Sequence, residues 1–414
     1  MNGKKVLQLG YGMQGKAVLY DLIKNDCISK VILADISSEI SKLQEIYGKE
    51  KLEVVLLDAS DFESIKKLME KVDIVAEVLP GPFALPVAKL ASEVGVSLVS
   101  SMYLVNPGEQ DISKRKKQMY EVEQINKISK SKNITILQEF GMDPGIDLVL
   151  TKNVIDKLDT VEALHSYGAG FPERESAETS PLLYKFTWSV IGVMRSYLRP
   201  AKYIKNNDVV NVQADEVFLP EHTHTLNIES LKDYLECFPN GDSVHYADLL
   251  GIKNNVKSMG RYICRWPGHA SFWSKMAKCG FLNEDPIDCN GLKVSPVQFC
   301  ASLLGNNSKF FYGENERDVA LIRVDARGFK NNKPVRFINQ IIDKRDLETG
   351  FTSMQRTVGF TVSIGVQMIL DGRISKSGVL TPFDVPFEDF MSELGKRNIV
   401  LDSFEEKWDG SLEP

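Results

Sequence analysis

From residue 4 to about 140 the chain alternates short apolar runs with longer stretches in which apolar residues recur every three or four positions. The runs Lys5–Leu9, Lys30–Ala34, Glu53–Leu57, Asp73–Leu79, Val96–Ser100 and Ile134–Gln138 have the length and apolar character of strands. Between them, Ala17, Val18, Leu19, Leu22 and Ile23, and then Phe62, Ile65, Leu68 and Met69, fall on one side of a helix. Parallel neighbours are joined by long crossovers, so this alternation predicts a parallel sheet wrapped by helices. The lysine- and glutamate-rich stretch 110–132 predicts an outer helix that leads into the sixth strand.

After Asp143-Pro144-Gly145 the rhythm changes to longer irregular segments, aromatic clusters and several Pro and Gly residues. Thr160–Tyr167, Arg317–Gly328 and Val335–Asp343 have the β-rich patterns of an antiparallel sheet. Residues 354–372 form an apolar helical stretch stopped by Gly372, which fits back against the first domain. The expected architecture is α/β: a Rossmann-type doubly wound parallel sheet with an inserted α+β domain. The expected division is 1–142 with 354–414 as one discontinuous domain, and 143–353 as the other.

Composition narrows the partners. The 414 residues are 43% hydrophobic and 26% charged, the mixture of a globular chain long enough for two domains. With 50 Lys+Arg against 56 Asp+Glu the formal charge is −6, which supplies no basic surface for nucleic acid and no polybasic membrane patch. No two of the six cysteines lie closer than ten residues, so there is no C-x-x-C pair for zinc or thiol redox chemistry, and mostly buried, reduced thiols are expected. The opening M-N-G-K-K-V-L-Q-L-G has no long apolar core and no later run is long enough to span a membrane, which leads to the expectation of a cytoplasmic chain. A small-molecule partner is expected, with a homodimer as the assembly to consider.

The sharpest motif is G-Y-G-M-Q-G, with Gly10, Tyr11, Gly12, Met13, Gln14 and Gly15 directly after an apolar strand and opening a helix. Gly10 allows the tight turn, Gly12 lets the backbone approach a pyrophosphate, and Gly15 lets helix and strand pack closely. Free N–H groups at the helix start favour the phosphate charge. Asp35 ends the second strand, where an acid can accept both ribose hydroxyls and would repel a 2′-phosphate, so NAD is expected rather than NADP. Asp58 after the third strand, and Leu79 and Pro80 after the fourth, extend the candidate cofactor-binding set; for Asp58 a plain strand-end turn is an equal alternative.

Further motifs resemble those of the saccharopine dehydrogenase/reductase family: E-F-G-M-D-P-G-I-D (139–147), S-Y-G-A-G-F-P (166–172), L-L-Y-K-F-T-W-S (182–189), R-P-A-K-Y (199–203), G-R-Y (260–262), and T-V-G-F-T-V-S-I-G-V-Q-M-I-L-D-G (357–372) followed by G-V-L-T-P (378–382). The resemblance implies a dinucleotide-binding domain in 1–142 with 354–414, a substrate and oligomerisation domain in 143–353, and hydride transfer between a nicotinamide and a carbon bearing an amine, joining an amino group and a semialdehyde through an imine. Saccharopine or an analogue is the implied substrate, with lysine 6-dehydrogenase or carboxynorspermidine dehydrogenase chemistry as alternatives; a non-catalytic NAD-binding module is the alternative of another class. It implies that Ser100 and Ser101 meet the substrate, that Asp143 faces the cleft, and that Arg261 binds a carboxylate. The NADP-using members lack an acid where this chain has Asp35.

Oxidation of an amine needs a base at the reacting nitrogen, and the reverse reaction needs an acid. Asp143 and Lys185 are the catalytic candidates, with Tyr167 and His269 also weighed. Asp143 is equally placed to cap the following helix. Aromatic neighbours could desolvate Lys185 and bring its pKa down. Arg261 and Arg265, four residues apart in a β-pattern, share a face and suit a substrate with more than one carboxylate, though Arg265 also reads as a plain surface arginine. His222-x-His224 has no companion ligands in sequence, so no metal is expected.

Overall fold

Each apolar run near the start of the chain becomes a strand because its branched side chains fill a sheet covered on both faces. The computed structural model describes residues 3–107, 109 and 111–414. The first elements are β1 (Lys4–Leu9), α1 (Met13–Lys24), β2 (Ile28–Asp35), α2 (Leu43–Tyr47), β3 (Leu52–Leu56), α3 (Phe62–Met69), β4 (Ile74–Glu77), α4 (Ala84–Val94), β5 (Ser97–Ser100), α5 (Ile112–Ser131), β6 (Thr135–Leu137) and α6 (Ile146–Ile155). The strands pair in parallel in the order β6-β5-β4-β1-β2-β3. A seventh strand, Gly378–Leu380, adds beside β6 and has no counterpart among the expected strands. The order reverses between β1 and β4, which creates the crevice at the carboxyl edge where such sheets receive ligands. Helix α5 buries only Ile125 and Ser129 along its length, as its charge predicts; residue 110, at the expected start of that helix, lies outside the described residues.

The chain forms two compact units, Met1–Val149 with Gln355–Val400, and Leu150–Met354 with Leu401–Pro414. The apolar stretch expected as one helix is a π-helical turn, Arg356–Phe360, running into an α-helix, Thr361–Leu370. A charged cluster holds this returning segment to α1. Arg397 donates from Nε to Asp21 Oδ1 at 2.8 Å and from Nη2 to Asp21 Oδ2 at 2.7 Å, and its Nη1 reaches Glu393 Oε2 at 2.8 Å. Gln367 adds a bond to Asp21 at 2.9 Å.

The second unit contains β7 (Thr160–Pro172), β8 (Ala201–Lys205), β9 (Asp208–Val212), β10 (His224–Ile228), β11 (Asp233–Pro239), β12 (Ser258–Arg265), the separate hairpin β13 (Ile287–Cys289) and β14 (Leu292–Val294), β15 (Asp318–Lys330) and β16 (Lys333–Lys344). Its large sheet runs β10-β11-β12-β7-β15-β16 and then Leu401–Lys407, with β8 on β12 and β9 on β8. The β12–β7 pairing is parallel and the others are antiparallel, so the sheet is mixed.

The final segment departs from the expected division. Residues 401–414 join the second unit: Leu401–Lys407 pairs with β16, and Arg327 donates to the carbonyls of Ser411, at 3.1 Å, and Glu413. The strand is exposed along most of its length, so no apolar periodicity announces it. The cysteines also differ from expectation, since Cys27, Cys279 and Cys289 are exposed and only Cys237, Cys264 and Cys300 are buried. Among the described residues no helix is long and apolar enough to cross a membrane.

Candidate functional site

In the first unit the glycine turn follows β1 and opens α1, at the reversal of strand order. Gly10 has φ +100°, a conformation that favours glycine, and a side chain on Gly15 would come within 2.4 Å of the Gly10 carbonyl. Gln8 braces the turn from beneath, donating from Nε2 to the carbonyls of Gly10 at 2.9 Å and Gly15 at 2.7 Å. Gly12 differs from both: a Cβ there would meet no protein atom within 4 Å. The space above Gly12 is therefore free for a phosphate, and the residues present fit a dinucleotide. Met13 and Gln14 begin α1, with Met13 exposed.

Asp35 sits at the end of β2, but its carboxylate is turned toward the backbone. One oxygen accepts the Tyr11 amide at 2.6 Å and the other accepts the Ser37 amide at 2.7 Å. Asp58 is exposed and closes its own turn, accepting both the amide and the hydroxyl of Ser60 at 2.8 Å. Those bonds, the amide first, hold its carboxyl below the usual carboxylate range. The turn alternative therefore accounts for Asp58.

Leu79 and Pro80 follow β4, and the strand end beside them is organised by Glu77, a residue outside every sequence motif. Glu77, wholly buried, accepts the Leu79 amide at 2.8 Å and the Ser100 hydroxyl; Ser100 Oγ in turn accepts the Met102 amide at 3.0 Å. Ser100 is thus occupied within the fold, which corrects its assignment as a substrate contact. Ser101 is half-buried, and its Cβ is 3.4 Å from where a side chain on Gly141 would stand. Asp143 lies half-buried in the loop before α6. The Gly145 amide at the start of α6 is taken by Asp147 at 2.9 Å. The first unit thus collects Gly10 to Gly15, Leu79, Pro80, Ser101 and the loop bearing Asp143 in segments that follow the carboxyl ends of its strands.

The second unit holds the two arginines on β12, both nearly buried. Arg261 lies over the Tyr246 ring at 4.5 Å and Arg265 over the Tyr184 ring at 4.9 Å. Arg265 donates to the Cys264 carbonyl at 2.8 Å, and its charge acts on the neighbouring Tyr184 and Tyr197 phenols, while its Nε has no hydrogen-bond partner. Among the described residues no carboxylate pairs with it, so it is not the surface arginine of the alternative reading. His269 is buried among aromatic rings with Nε2 at 2.9 Å from the Tyr197 hydroxyl. Burial, reinforced by Arg265, pushes its pKa well below the ordinary value and keeps it neutral.

Lys185 is also corrected. Its ammonium is buried and donates to Glu316 at 2.6 and 2.7 Å and to the Phe311 carbonyl at 3.2 Å. Lys185 is thus paired with Glu316 and is not the unpartnered, aromatic-flanked amine that the sequence suggested. Tyr167 is likewise fully buried, and burial raises its hydroxyl pKa well above the ordinary value.

Residues 6–137 match the family described as the saccharopine dehydrogenase NADP binding domain, and residues 141–400 match the saccharopine dehydrogenase C-terminal domain. The mitochondrial alpha-aminoadipic semialdehyde synthase of Bos taurus is 27% identical over 445 residues, covering 92% of this chain and 45% of that protein, so the chain spans about half the length of that relative. Saccharopine dehydrogenase [NADP(+), L-glutamate-forming] of Saccharomyces cerevisiae is 25% identical over 459 residues, covering 95% and 97%. A solved apo structure of the L-Glu-forming saccharopine dehydrogenase from Saccharomyces cerevisiae has a TM-score of 0.81 at 23% identity, with 98% and 100% covered, and shares the fold.

These matches overturn the expectation of NAD, since the matching domain is described as NADP binding and the yeast relative is named for NADP(+). At Asp35 each carboxylate oxygen already accepts a backbone amide, from Tyr11 and Ser37, so the acid braces the glycine turn, a role the expectation of ribose selection did not include. With both units matched along nearly their whole lengths, the chain belongs to the saccharopine dehydrogenase family.

Proposed function

We propose that this chain catalyses NADP(H)-dependent hydride transfer at the C–N bond of a carboxylated secondary amine of the saccharopine type, joining it through an imine to a semialdehyde and an amino acid. The names of the bovine and yeast relatives support the reaction class. The observation that carries the substrate class is Arg265, a buried guanidinium with no carboxylate partner among the described residues. A buried cation without a counter-ion is costly, and a substrate carboxylate would relieve that cost. Arg261, on the same face of β12, offers a second guanidinium, which suits saccharopine, with its several carboxylates, better than lysine with one.

Bound NADP(H) would supply the hydride acceptor or donor. Gly10, Gly12 and Gly15 would hold its pyrophosphate, with Leu79 and Pro80 toward the nicotinamide end. Ser101 would orient the reacting amine, and Asp143 would take or return its proton. A cytoplasmic location and a homodimer belong to the same proposal, to be checked by cell fractionation and sedimentation.

The test is to incubate the purified protein with NADP+ and either saccharopine or lysine and follow the absorbance of reduced nicotinamide. Turnover of saccharopine far above that of lysine is expected. Tight NADPH binding without turnover of either amine would overturn the proposal in favour of a binding module.

A further inference from the structure

Glu77 has no part in the chemistry above, yet it occupies the reversal point of the parallel sheet. In register it stands opposite Leu9 of β1 on one side and Ser100 of β5 on the other. Its two oxygens hold the two loops that leave β4 and β5: one takes the Leu79 amide, and the other takes the Ser100 hydroxyl, which fixes the Met102 amide. The loops meet, since the Met102 methyl is 3.6 Å from where a side chain on Gly81 would stand. The same segment walls the glycine turn. The Val78 amide donates to the Leu9 carbonyl at 3.0 Å, and the Val78 carbonyl lies 2.8 Å from the place of a Cβ on Gly10.

We propose that Glu77 is a positioning residue for the dinucleotide: its ionised form holds both loops against the nicotinamide end, and its neutral form releases one of them. The proposal rests on the NADP(H) reading above and deepens it. Ionised, the carboxylate accepts from Leu79 and Ser100 together. Once protonated, the oxygen facing Ser100 becomes a donor, and the serine hydrogen is left buried without its acceptor.

The group is placed to switch near neutral pH. Burial pushes its pKa up to about 7, opposed by the Ser100 and Leu79 bonds, and no neighbouring charge contributes. Of the elements packed on β4, β5 and the helix Thr361–Leu370 carry no ionisable side chain, and the lysines of β1 stand at its opposite end, where Lys4 pairs with Asp73. A raised carboxyl pKa means that the folded chain binds the extra proton between the ordinary value of 4.5 and about 7. Fold stability therefore falls as pH rises through that window, while nucleotide affinity rises, a pair of opposite slopes that a purely structural carboxyl does not produce.

The experiment measures NADPH dissociation constants by fluorescence for the unaltered chain and E77Q across this pH window, together with their melting temperatures. The ratio of the two constants cancels the titration of the ligand phosphate. It is expected to lie near one in acid, where Glu77 is neutral like glutamine, and to rise about tenfold above neutral pH. S100A, which removes one bond to the ionised form, is expected to move the midpoint of the affinity profile to higher pH. A ratio that stays near one at every pH, or an S100A profile with an unmoved midpoint, overturns the role of Glu77 and leaves the functional reading standing. Failure of the unaltered chain to bind NADPH at any pH overturns both.

Discussion

The carboxylate of Asp35 accepts the backbone amide of Tyr11 at 2.6 Å, so the end of β2 is tied to the middle of the glycine turn by an acid. Asp35→Ala should free the Tyr11 and Ser37 amides and loosen the turn. The expected result is NADPH and NADH affinities that both fall about tenfold, roughly 1.4 kcal/mol, with their ratio unchanged. Fluorescence titration of each nucleotide checks this; a gain for NADPH with a loss for NADH would restore Asp35 to direct ribose selection.

Gly12 and Gly15 should fail in different ways. Gly12→Ala adds a methyl where no protein atom stands within 4 Å, so the fold should melt within a degree or so of the unaltered chain while NADPH binding is lost. Gly15→Ala drives a methyl into the Gly10 carbonyl and should cost about 1–3 kcal/mol of stability. Thermal melts beside nucleotide titrations separate the two.

Arg265→Met removes a buried charge that has no carboxylate partner, and such replacements often leave the fold as stable or more so. Activity should move the other way, with kcat/KM for saccharopine falling about a hundredfold, near 2.7 kcal/mol. Arg265→Lys should rescue little, because the planar two-pronged geometry is lost. Steady-state kinetics with chemical denaturation tests the split, and unchanged kinetics in Arg265→Met would remove this arginine from the substrate site.

The cluster that joins α1 to the returning segment should set part of the acid sensitivity of the first unit. Burial raises the Glu393 pKa, but Lys396, Arg397 and Arg373 outweigh it and bring the carboxyl down to about 2. A lowered carboxyl pKa contributes stability that is present above the ordinary value of 4.5 and lost as pH falls toward about 2. Glu393→Gln should therefore lower the melting temperature at neutral pH and flatten its decline in acid. Arg397→Met, which leaves Asp21 without its cation, should cost about 3–5 kcal/mol.

The parallel sheet is legible in the chain because strands buried on both faces must be apolar throughout, and the glycine turn because its backbone admits few other residues. Residues whose partners are distant are not legible. Lys185 sits among aromatics that suggest a desolvated base, yet Glu316 lies 131 positions away and neutralises it. Asp35 has the right place and the wrong orientation, since nothing local tells that its oxygens turn back to Tyr11 and Ser37. Glu77 and Gln8 are single polar residues at the ends or within apolar runs, indistinguishable from strand punctuation until Ser100 and the glycine carbonyls come beside them.

The strand Leu401–Lys407 completes the second unit only after the chain has passed through Gln355–Val400. Seen from that unit, the returning segment is an insertion between β16 and its hydrogen-bonding neighbour. A fragment cut at residue 354 would leave β16 as a bare edge, with unpaired amides and carbonyls open to any passing strand. The second unit made alone should therefore aggregate, and a version that fuses residues 401–414 to Met354 through a short flexible linker should not.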